Sequence, residues 1–317
     1  MKVTRHLEMA KSTLFSFEIL PPLKGQSIQS VFNTIDPLLE FKPAFIDVTY
    51  HREEYIYKER EKGYLEKISL RKRPGTVGIC TAINNKYQID AVPHIICGGF
   101  TVEETENALI DLSFLGIDNI LIIRGDPIKT ESSFTPENKG HEYATNLIQQ
   151  VVNMNHGKYL YDEGEKVQET DFCIGVAGYP EKHYEAANLN SDLKYLKDKV
   201  DIGADYIVTQ MFYDNQKYYE FVNSCREAGI HVPIIPGLKP LTTKKQLVNL
   251  PKIFHIDIPE TLAEEVRKCE TDADVRQVGI DWAIEQSKEL IKFGVPCLHY
   301  YTMGLTKATY QIASKVF

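Results

Sequence analysis

A chain of 317 residues, 43% hydrophobic and 25% charged, has the make-up of an ordinary globular protein with material for one large core. Its formal net charge of −8 argues against a generic nucleic-acid surface, and no apolar run approaches the roughly 20 residues that cross a bilayer. The opening Met1-Lys2-Val3-Thr4-Arg5-His6 leads into no signal-peptide segment, so a cytoplasmic location is expected. Six cysteines, Cys80, Cys97, Cys173, Cys225, Cys269 and Cys297, form no Cys-x-x-Cys pair and read as reduced core thiols, with no metal site expected.

Eight β-type apolar runs follow one another along the chain: Thr13–Leu20, Phe45–Tyr50, Thr76–Ile83, Asn119–Asp126, Phe172–Pro180, Tyr206–Phe212, Pro233–Leu238 and Cys297–Gly304. The first carries a carboxylate, Glu18, and is stopped by Pro21-Pro22. Stretches of helical spacing separate the runs, as with Ile28, Val31, Ile35, Leu38 and Leu39, or Leu193, Leu196 and Val200. Alternating strands and helices require right-handed crossovers and a parallel sheet, and eight such units close into an α/β (β/α)8 TIM barrel, here expected as a single domain over residues 1–317. A doubly wound sheet is the rival, but the Gly-x-Gly-x-x-Gly turn after the first strand is missing. Two connections are long. Residues 51–73 begin on the top face, and 153–171 belong to the bottom as a surface hairpin or a contact between subunits. Placed just before the third run, Arg71-Lys72-Arg73 is expected at the bottom, as a solvated turn.

Barrel topology brings the C-terminal strand ends to one mouth. Those ends read Glu18, Thr49, Arg124-Gly125-Asp126, Tyr179, Gln210, Pro236-Gly237 and His299-Tyr300-Tyr301. The set is rich in hydrogen-bonding groups and holds two carboxylates, but lacks the ligand grouping of a metallohydrolase or a Ser-His-Asp arrangement. Two acids in one partly desolvated mouth often divide roles, one donating a proton and one holding charge. Taken singly, each residue has a plain structural alternative. Glu18 fits an ion pair in the barrel wall, Asp126 a turn cap before Pro127, and Arg124 a pair with an acid of a neighbouring helix.

Taken together, Ser16-Phe17-Glu18 with Pro21-Pro22, Asp47-Val48-Thr49-Tyr50, Pro93-His94-Ile95-Ile96-Cys97, Leu121-Ile122-Ile123-Arg124-Gly125-Asp126, Ala177-Gly178-Tyr179-Pro180-Glu181, Val208-Thr209-Gln210-Met211-Phe212, Ile235-Pro236-Gly237 and Leu298-His299-Tyr300-Tyr301-Thr302 resemble, in order and nearly end to end, the 5,10-methylenetetrahydrofolate reductase family. Stopping where the barrel stops, the chain is expected to resemble the bacterial form, without the eukaryotic regulatory domain.

The resemblance implies FAD in the mouth, NADH or NADPH as electron donor, a ping-pong cycle, and reduction of a folate one-carbon unit from methylene to methyl for methionine synthesis. Homo-oligomerisation is usual in such a family. By the same resemblance Glu18 is the general acid that opens the folate imidazolidine ring, a task favoured by burial. Asp126 lies beside flavin and pterin, Gln210 is the amide shared by folate and nicotinamide, and Gln246 a second pterin-side amide. Thr49, His94, Arg124, Gly125, Asp126, Tyr143, Ala144, Tyr179, His183, Ala186, Asp192 and Lys199 match FAD contacts, with Lys199 suited to a diphosphate and Asp192 to ribose or adenine hydroxyls. Solvated ion pairing within the charged helix Asn190 to Val200 is the alternative for those last two.

Three positions depart from the family pattern. His51-Arg52-Glu53-Glu54-Tyr55 replaces a Gly-rich turn, Asp198 stands where a basic residue often precedes the family lysine, and Leu305 takes the place of the arginine expected at the folate glutamate tail. Lys307 is the nearby substitute. The rivals are another flavin barrel of the proline dehydrogenase kind, which would need an arginine pair for a carboxylate, and a non-catalytic barrel serving a methyl-transfer complex.

Overall fold

The computed structural model describes residues 1–128, 131–161, 167–304 and 306–317. Its strands are β1 (Leu14–Ile19), β2 (Phe45–Val48), β3 (Glu54–Glu59), β4 (Leu65–Leu70), β5 (Asp90–Ile96), β6 (Asn119–Ile123), β7 (Cys173–Gly178), β8 (Tyr206–Thr209), β9 (Ile234–Ile235), β10 (Gly237–Leu238) and β11 (Cys297–Tyr301). All but β3 and β4 form one parallel sheet in the order β10-β11-β1-β2-β5-β6-β7-β8-β9. β9 and β10 are halves of one segment, split at Pro236, which has no N–H to give to a ladder. The first half pairs with β8 and the second with β11, so this one segment closes the ring. The result is the eight-position (β/α)8 barrel.

Alternation along each strand sorts side chains to the two faces. Phe15, Phe17, Ile19, Ile46 and Val48 pack outward against the helices. Inside the barrel a lower layer of Phe45, Val92, Leu121, Cys173, Tyr206 and Cys297 is plugged from below by Val3 of the helix Val3–Met9. Val3 N donates to Asn119 Oδ1 at 2.7 Å, and Asn119 Nδ2 donates back to the carbonyl of Met1 at 2.9 Å. Above that layer, Ser16, Glu18, Asp47, His94 and His299 are buried polar groups on inward positions of the same strands. No helix among the described residues is long and apolar enough to cross a membrane.

Two expectations are corrected. Thr76–Ile83 is no strand: it opens the helix Thr76–Tyr87, and the third barrel strand is β5, Asp90–Ile96. The run is rich in β-branched residues, yet Ile79, Cys80 and Ile83 share one buried helical face, and tertiary packing overrides local preference. β5 was obscured by Pro93, which sits opposite Val48 in the ladder. In consequence Arg71-Lys72-Arg73 lies before a helix rather than before a strand, on the top face. The carbonyl of Pro21, just beyond β1, accepts a hydrogen bond from Arg73 Nη1.

Residues 51–73 do extend from the top, as the antiparallel hairpin β3–β4. Leu160 N donates to Glu106 Oε2 at 2.7 Å and the Tyr161 hydroxyl to Glu103 Oε1 at 2.9 Å, in the N-terminal turns of the helix Val102–Phe114, so this part of the 153–171 insertion lies along the side of the barrel and not, as expected, on its bottom face. The tip expected as a hairpin, 162–166, is outside the described residues.

Gly237 is where the closing segment passes closest to its neighbours: an added Cβ would run into the carbonyl of Thr209 and the ring of Tyr301. Gly237→Ala is therefore expected to lower unfolding stability by about 1–3 kcal/mol, the usual range for overpacking. A urea melt checks this, and an unshifted midpoint would show that the closure is looser than described.

Candidate active site

Glu18, 7% exposed, is the uppermost inward residue of β1. Thr49 Oγ1, just past the end of β2, donates to Glu18 Oε1 at 2.8 Å. From β5, His94 Nε2 stands 3.5 Å from Glu18 Oε2 and equally 3.5 Å from Asp47 Oδ2. Asp47 is fully buried, and neither of its oxygens has a closer hydrogen-bond partner. One imidazole is thus shared by two carboxylates. Burial opposes its charged form, but the attraction of Asp47 and Glu18, each 3.5 Å away, outweighs burial and raises His94 above its ordinary pKa. Across the barrel, His299 Nδ1 lies 2.9 Å from Ser16 Oγ, and burial holds that histidine below its ordinary value despite the nearby carboxylates. Lys239, directly after β10, is buried beside Glu18; desolvation brings its pKa down to about 8 although the Glu18 charge opposes this.

A second group gathers on the loops after β6 and β7. Arg124 Nη1 pairs with Glu185 Oε2 at 2.7 Å, and its guanidinium lies 4.9 Å from the centre of the Phe134 ring. The structural alternative for Arg124 is thus realised, with an acid on a loop rather than a helix. Lys199 Nζ donates to the carbonyl of Ala177 at 3.1 Å, which turns it from the helix Leu189–Ile202 toward the end of β7. Desolvation lowers Lys199 to about 8, with Asp192 opposing and Arg124 reinforcing the shift. Asp192 Oδ2 accepts from His183 N at 2.9 Å, and the His183 ring stands 4.7 Å from that of Tyr179. Ala186 closes this loop, its N–H donating to the carbonyl of His183 at 3.0 Å. Gly125 has φ +87°, a turn that favours glycine between Arg124 and Asp126. Asp126 is exposed, yet its charge reaches Tyr179, where it adds to the upward shift caused by burial. Tyr143 and Ala144 open the helix Ala144–Asn155, with Tyr143 exposed.

Of the amides, Gln210 N donates to the carbonyl of Gly178 at 2.8 Å and its Oε1 accepts from Met211 N at 2.9 Å, while its side-chain N–H2 has no partner among the described residues. Gln246 is occupied differently: Oε1 accepts from Thr242 N at 2.6 Å and Thr243 N at 3.2 Å, folding the loop after β10. Lys307 is exposed, without an ion pair among the described residues, and Leu305 lies outside them. The sequence-assigned residues therefore fall into two groups, Glu18, Thr49 and His94 at the β1–β5 side, and Arg124 through Lys199 at the β6–β7 side. Asp47 and Lys239 had no role assigned from sequence; an acid inward on a strand and a lysine at a strand end were the available signals.

A cleft of about 530 Å³ opens beside the mouth, between the hairpin, the helix Thr76–Tyr87 and the loop after β5. Tyr50, Tyr55, Arg71, Val77 and Phe100 line it, and His94 is the residue it shares with the assigned set. Its lip is pinned by Arg52, which pairs with Glu131 at 3.0 Å and Glu137 at 3.1 Å and lays its stem across Gly98 and Gly99.

Fold and site together define a (β/α)8-barrel protein with ionisable groups buried inside its mouth and the cationic side chains Arg124 and Lys199 along one rim. Residues 2–316 match the family model described as methylenetetrahydrofolate reductase. The chain is 31% identical over 313 residues to methylenetetrahydrofolate reductase 1 of Schizosaccharomyces pombe, covering 98% of this chain and 47% of that protein. Against the 5,10-methylenetetrahydrofolate reductase of Escherichia coli it is 32% identical, covering 94% of this chain and 88% of the relative. An uncharacterized protein from Clostridium thermocellum that binds two copies of 5-methyl-5,6,7,8-tetrahydrofolic acid shares the fold, with TM-score 0.61 and 16% identity over 99% of this chain and 98% of that one. The chain belongs to the methylenetetrahydrofolate reductase family. It spans about half the length of the fungal and plant relatives it matches.

The shared imidazole gives a direct test of the site's electrostatics. In Asp47→Asn one counter-charge is gone, so His94 is expected to titrate at lower pH than in the wild type, as followed by NMR of its ring protons. An unmoved titration would mean that Asp47 does not hold its charge against His94.

Proposed function

We propose that the chain reduces 5,10-methylenetetrahydrofolate to 5-methyltetrahydrofolate, with FAD held at the mouth and NADH or NADPH as donor. The observation that carries this reading is the placement of Glu18, inside the barrel under Thr49 and His94, in a chain of this family whose Asp126 and Gln210 stand on the opposite rim. FAD, when bound, supplies hydride transfer in two half-reactions, so that donor and folate use one face in turn. The protein is expected to act in the cytoplasm as a homo-oligomer.

The residues present fit such a group. Burial lowers both Lys199 and His183, and the Arg124 charge adds to that at each while Asp192 opposes it; Arg124 itself, although partly buried, is held up by its pair with Glu185. A diphosphate is the kind of anion this arrangement favours. Asp192 has a second oxygen for a ribose hydroxyl, and Thr49, His94, Gly125, Asp126, Tyr143, Ala144, Tyr179 and Ala186 border the same space in this reading. Glu18 delivers a proton to a folate nitrogen as the imidazolidine ring opens, with Thr49 fixing one carboxyl oxygen and His94 facing the other. Asp126 offers a negative charge to the cationic iminium that results. Gln210, with its free N–H2, can donate to the pterin or to the nicotinamide amide. Gln246 would meet the pterin only through its N–H2, since its oxygen is already used within the loop.

Glu18→Gln keeps the acceptor for Thr49 and removes the acid. Folate reduction should fall by roughly 10²–10⁴-fold while reduction of the flavin by nicotinamide stays near wild type. Rapid-mixing measurement of the two half-reactions separates the outcomes, and equal losses in both would show that Glu18 serves flavin binding or the fold.

Lys199 offers a pH test. Its cation form, favoured below about 8, is the one that binds an anion, so FAD affinity should weaken as pH rises through that value. In Lys199→Met the affinity should be lower and flatter with pH. Quenching of FAD fluorescence on binding reports both, and an identical pH profile in the variant would remove Lys199 from the diphosphate site.

A further inference from the structure

The basic run Arg71-Lys72-Arg73 has no place in the function above, yet it sits on the catalytic rim. Besides the bond from Arg73 to the carbonyl of Pro21, Lys24 N donates to the carbonyl of Lys72 at 2.8 Å, so the run lies along the loop leaving β1. Pro21 is three residues beyond Glu18. His51 feels both charges: partial burial lowers its pKa, Arg73 pushes the same way, and Glu18 pulls against both. Arg73 and Glu18 thus act on the same ring.

The order of strands around the barrel gives this location a consequence. Asp126 follows β6 and Gln210 follows β8, while β1 lies across the ring from β7. A long ligand gripped at one end by Asp126 and Gln210, with its reacting carbon near Glu18, leaves the mouth over β1. That exit is flanked by the segments after β2 and β11, which carry Arg73 and Lys307. The neighbours of Arg73 are already engaged, Lys72 with Glu54 and Arg71 facing Glu53 at 4.0 Å, whereas Arg73 has no acidic partner among the described residues. Its guanidinium is anchored through one N–H, which leaves a fork of donors ordered in advance. Lys307 is an exposed point charge on a helix, with more rotamer freedom to lose.

We propose that Arg73, on the rebuilt segment after β2, is the counter-ion for the carboxylates of the folate glutamate tail, in place of the arginine that the family carries at the position of Leu305. The assignment rests on the function proposed above. A tail contact of this kind holds substrate and transition state alike, so it acts on KM rather than kcat. The exposed Lys24 adds positive charge beside it and extends the rim for further glutamates.

The test uses the flavin-loaded protein with methylenetetrahydrofolate bearing one or three glutamates, at low and moderate salt. Arg73→Gln retains an amide donor for Pro21 while removing the charge, Arg73→Lys restores charge without the fork, and Lys307→Ala is the competing assignment. Arg73→Gln should raise the folate KM about tenfold at low salt, as expected for loss of one charge-assisted contact, with kcat held and the nicotinamide KM unchanged. Arg73→Lys should recover part of that loss. Equilibrium binding of 5-methyltetrahydrofolate triglutamate, followed by fluorescence quenching, should weaken in parallel. A wild-type folate KM in Arg73→Gln, or a loss seen in Lys307→Ala instead, would overturn the assignment. A wild-type protein that turns over no methylenetetrahydrofolate would remove the proposed function itself, and this assignment with it.

Discussion

The interior of the barrel holds two carboxylates, Glu18 and Asp47, against one imidazole, His94, and most of the site depends on that contact. Strand alternation turns Glu18, Asp47 and His94 inward from three successive barrel strands, and His94 Nε2 comes to 3.5 Å from both acids. A charge buried without a partner is costly, so the layer is stable only if its members compensate one another. His94 answers to both acids. At Lys239 and His299 burial wins, holding each toward its neutral form although the same carboxylates pull the other way. Replacing any one of these groups changes the balance for the others, so a substitution at Asp47 would be felt at Glu18 without touching a ligand.

Barrel closure and site geometry are linked in the same way. Pro236 splits the seventh barrel strand, letting its halves pair with different neighbours, and the Tyr301 hydroxyl reaches across to donate to the carbonyl of Thr209 at 2.6 Å. Gln210 follows directly, its backbone held by Gly178 at the end of β7. The rim around Gln210 is therefore positioned by ladder contacts, while Arg124 and His183 ride on loops and are held by the side chains of Glu185 and Asp192. The first part is fixed by backbone pairing, and the second by side-chain contacts.

Much of this was legible in the sequence. Seven of the eight predicted runs contain barrel strands, because their apolar stretches are bounded by prolines, glycines or polar groups at the mouth. Thr76–Ile83 misled because β-branched residues at helical spacing satisfy both readings, and the Pro74-Gly75 pair ahead of it, which starts the helix, was the overlooked signal. That single misplacement put Arg71-Lys72-Arg73 on the wrong face. Glu18, Thr49 and His94 were recognisable from ordered motifs, and the structure brings them together. The pairing of Arg52 with Glu131 and Glu137 had no local signature, since its partners lie some eighty residues away in a loop after another strand. Nor was the buried partnership of Asp47 with His94 visible, because burial of an acid is decided by strand register and not by its neighbours in sequence.

The most direct measurement is an anaerobic absorbance titration of the purified protein. Bound FAD should give the visible absorption of an oxidised flavin; NADH or NADPH should bleach it, and 5,10-methylenetetrahydrofolate should restore it with one 5-methyltetrahydrofolate formed per flavin. Protein that is colourless and takes up no FAD, or reduced flavin that methylenetetrahydrofolate fails to reoxidise, would contradict the reading of Glu18, Asp126 and Gln210 as a folate-reducing site.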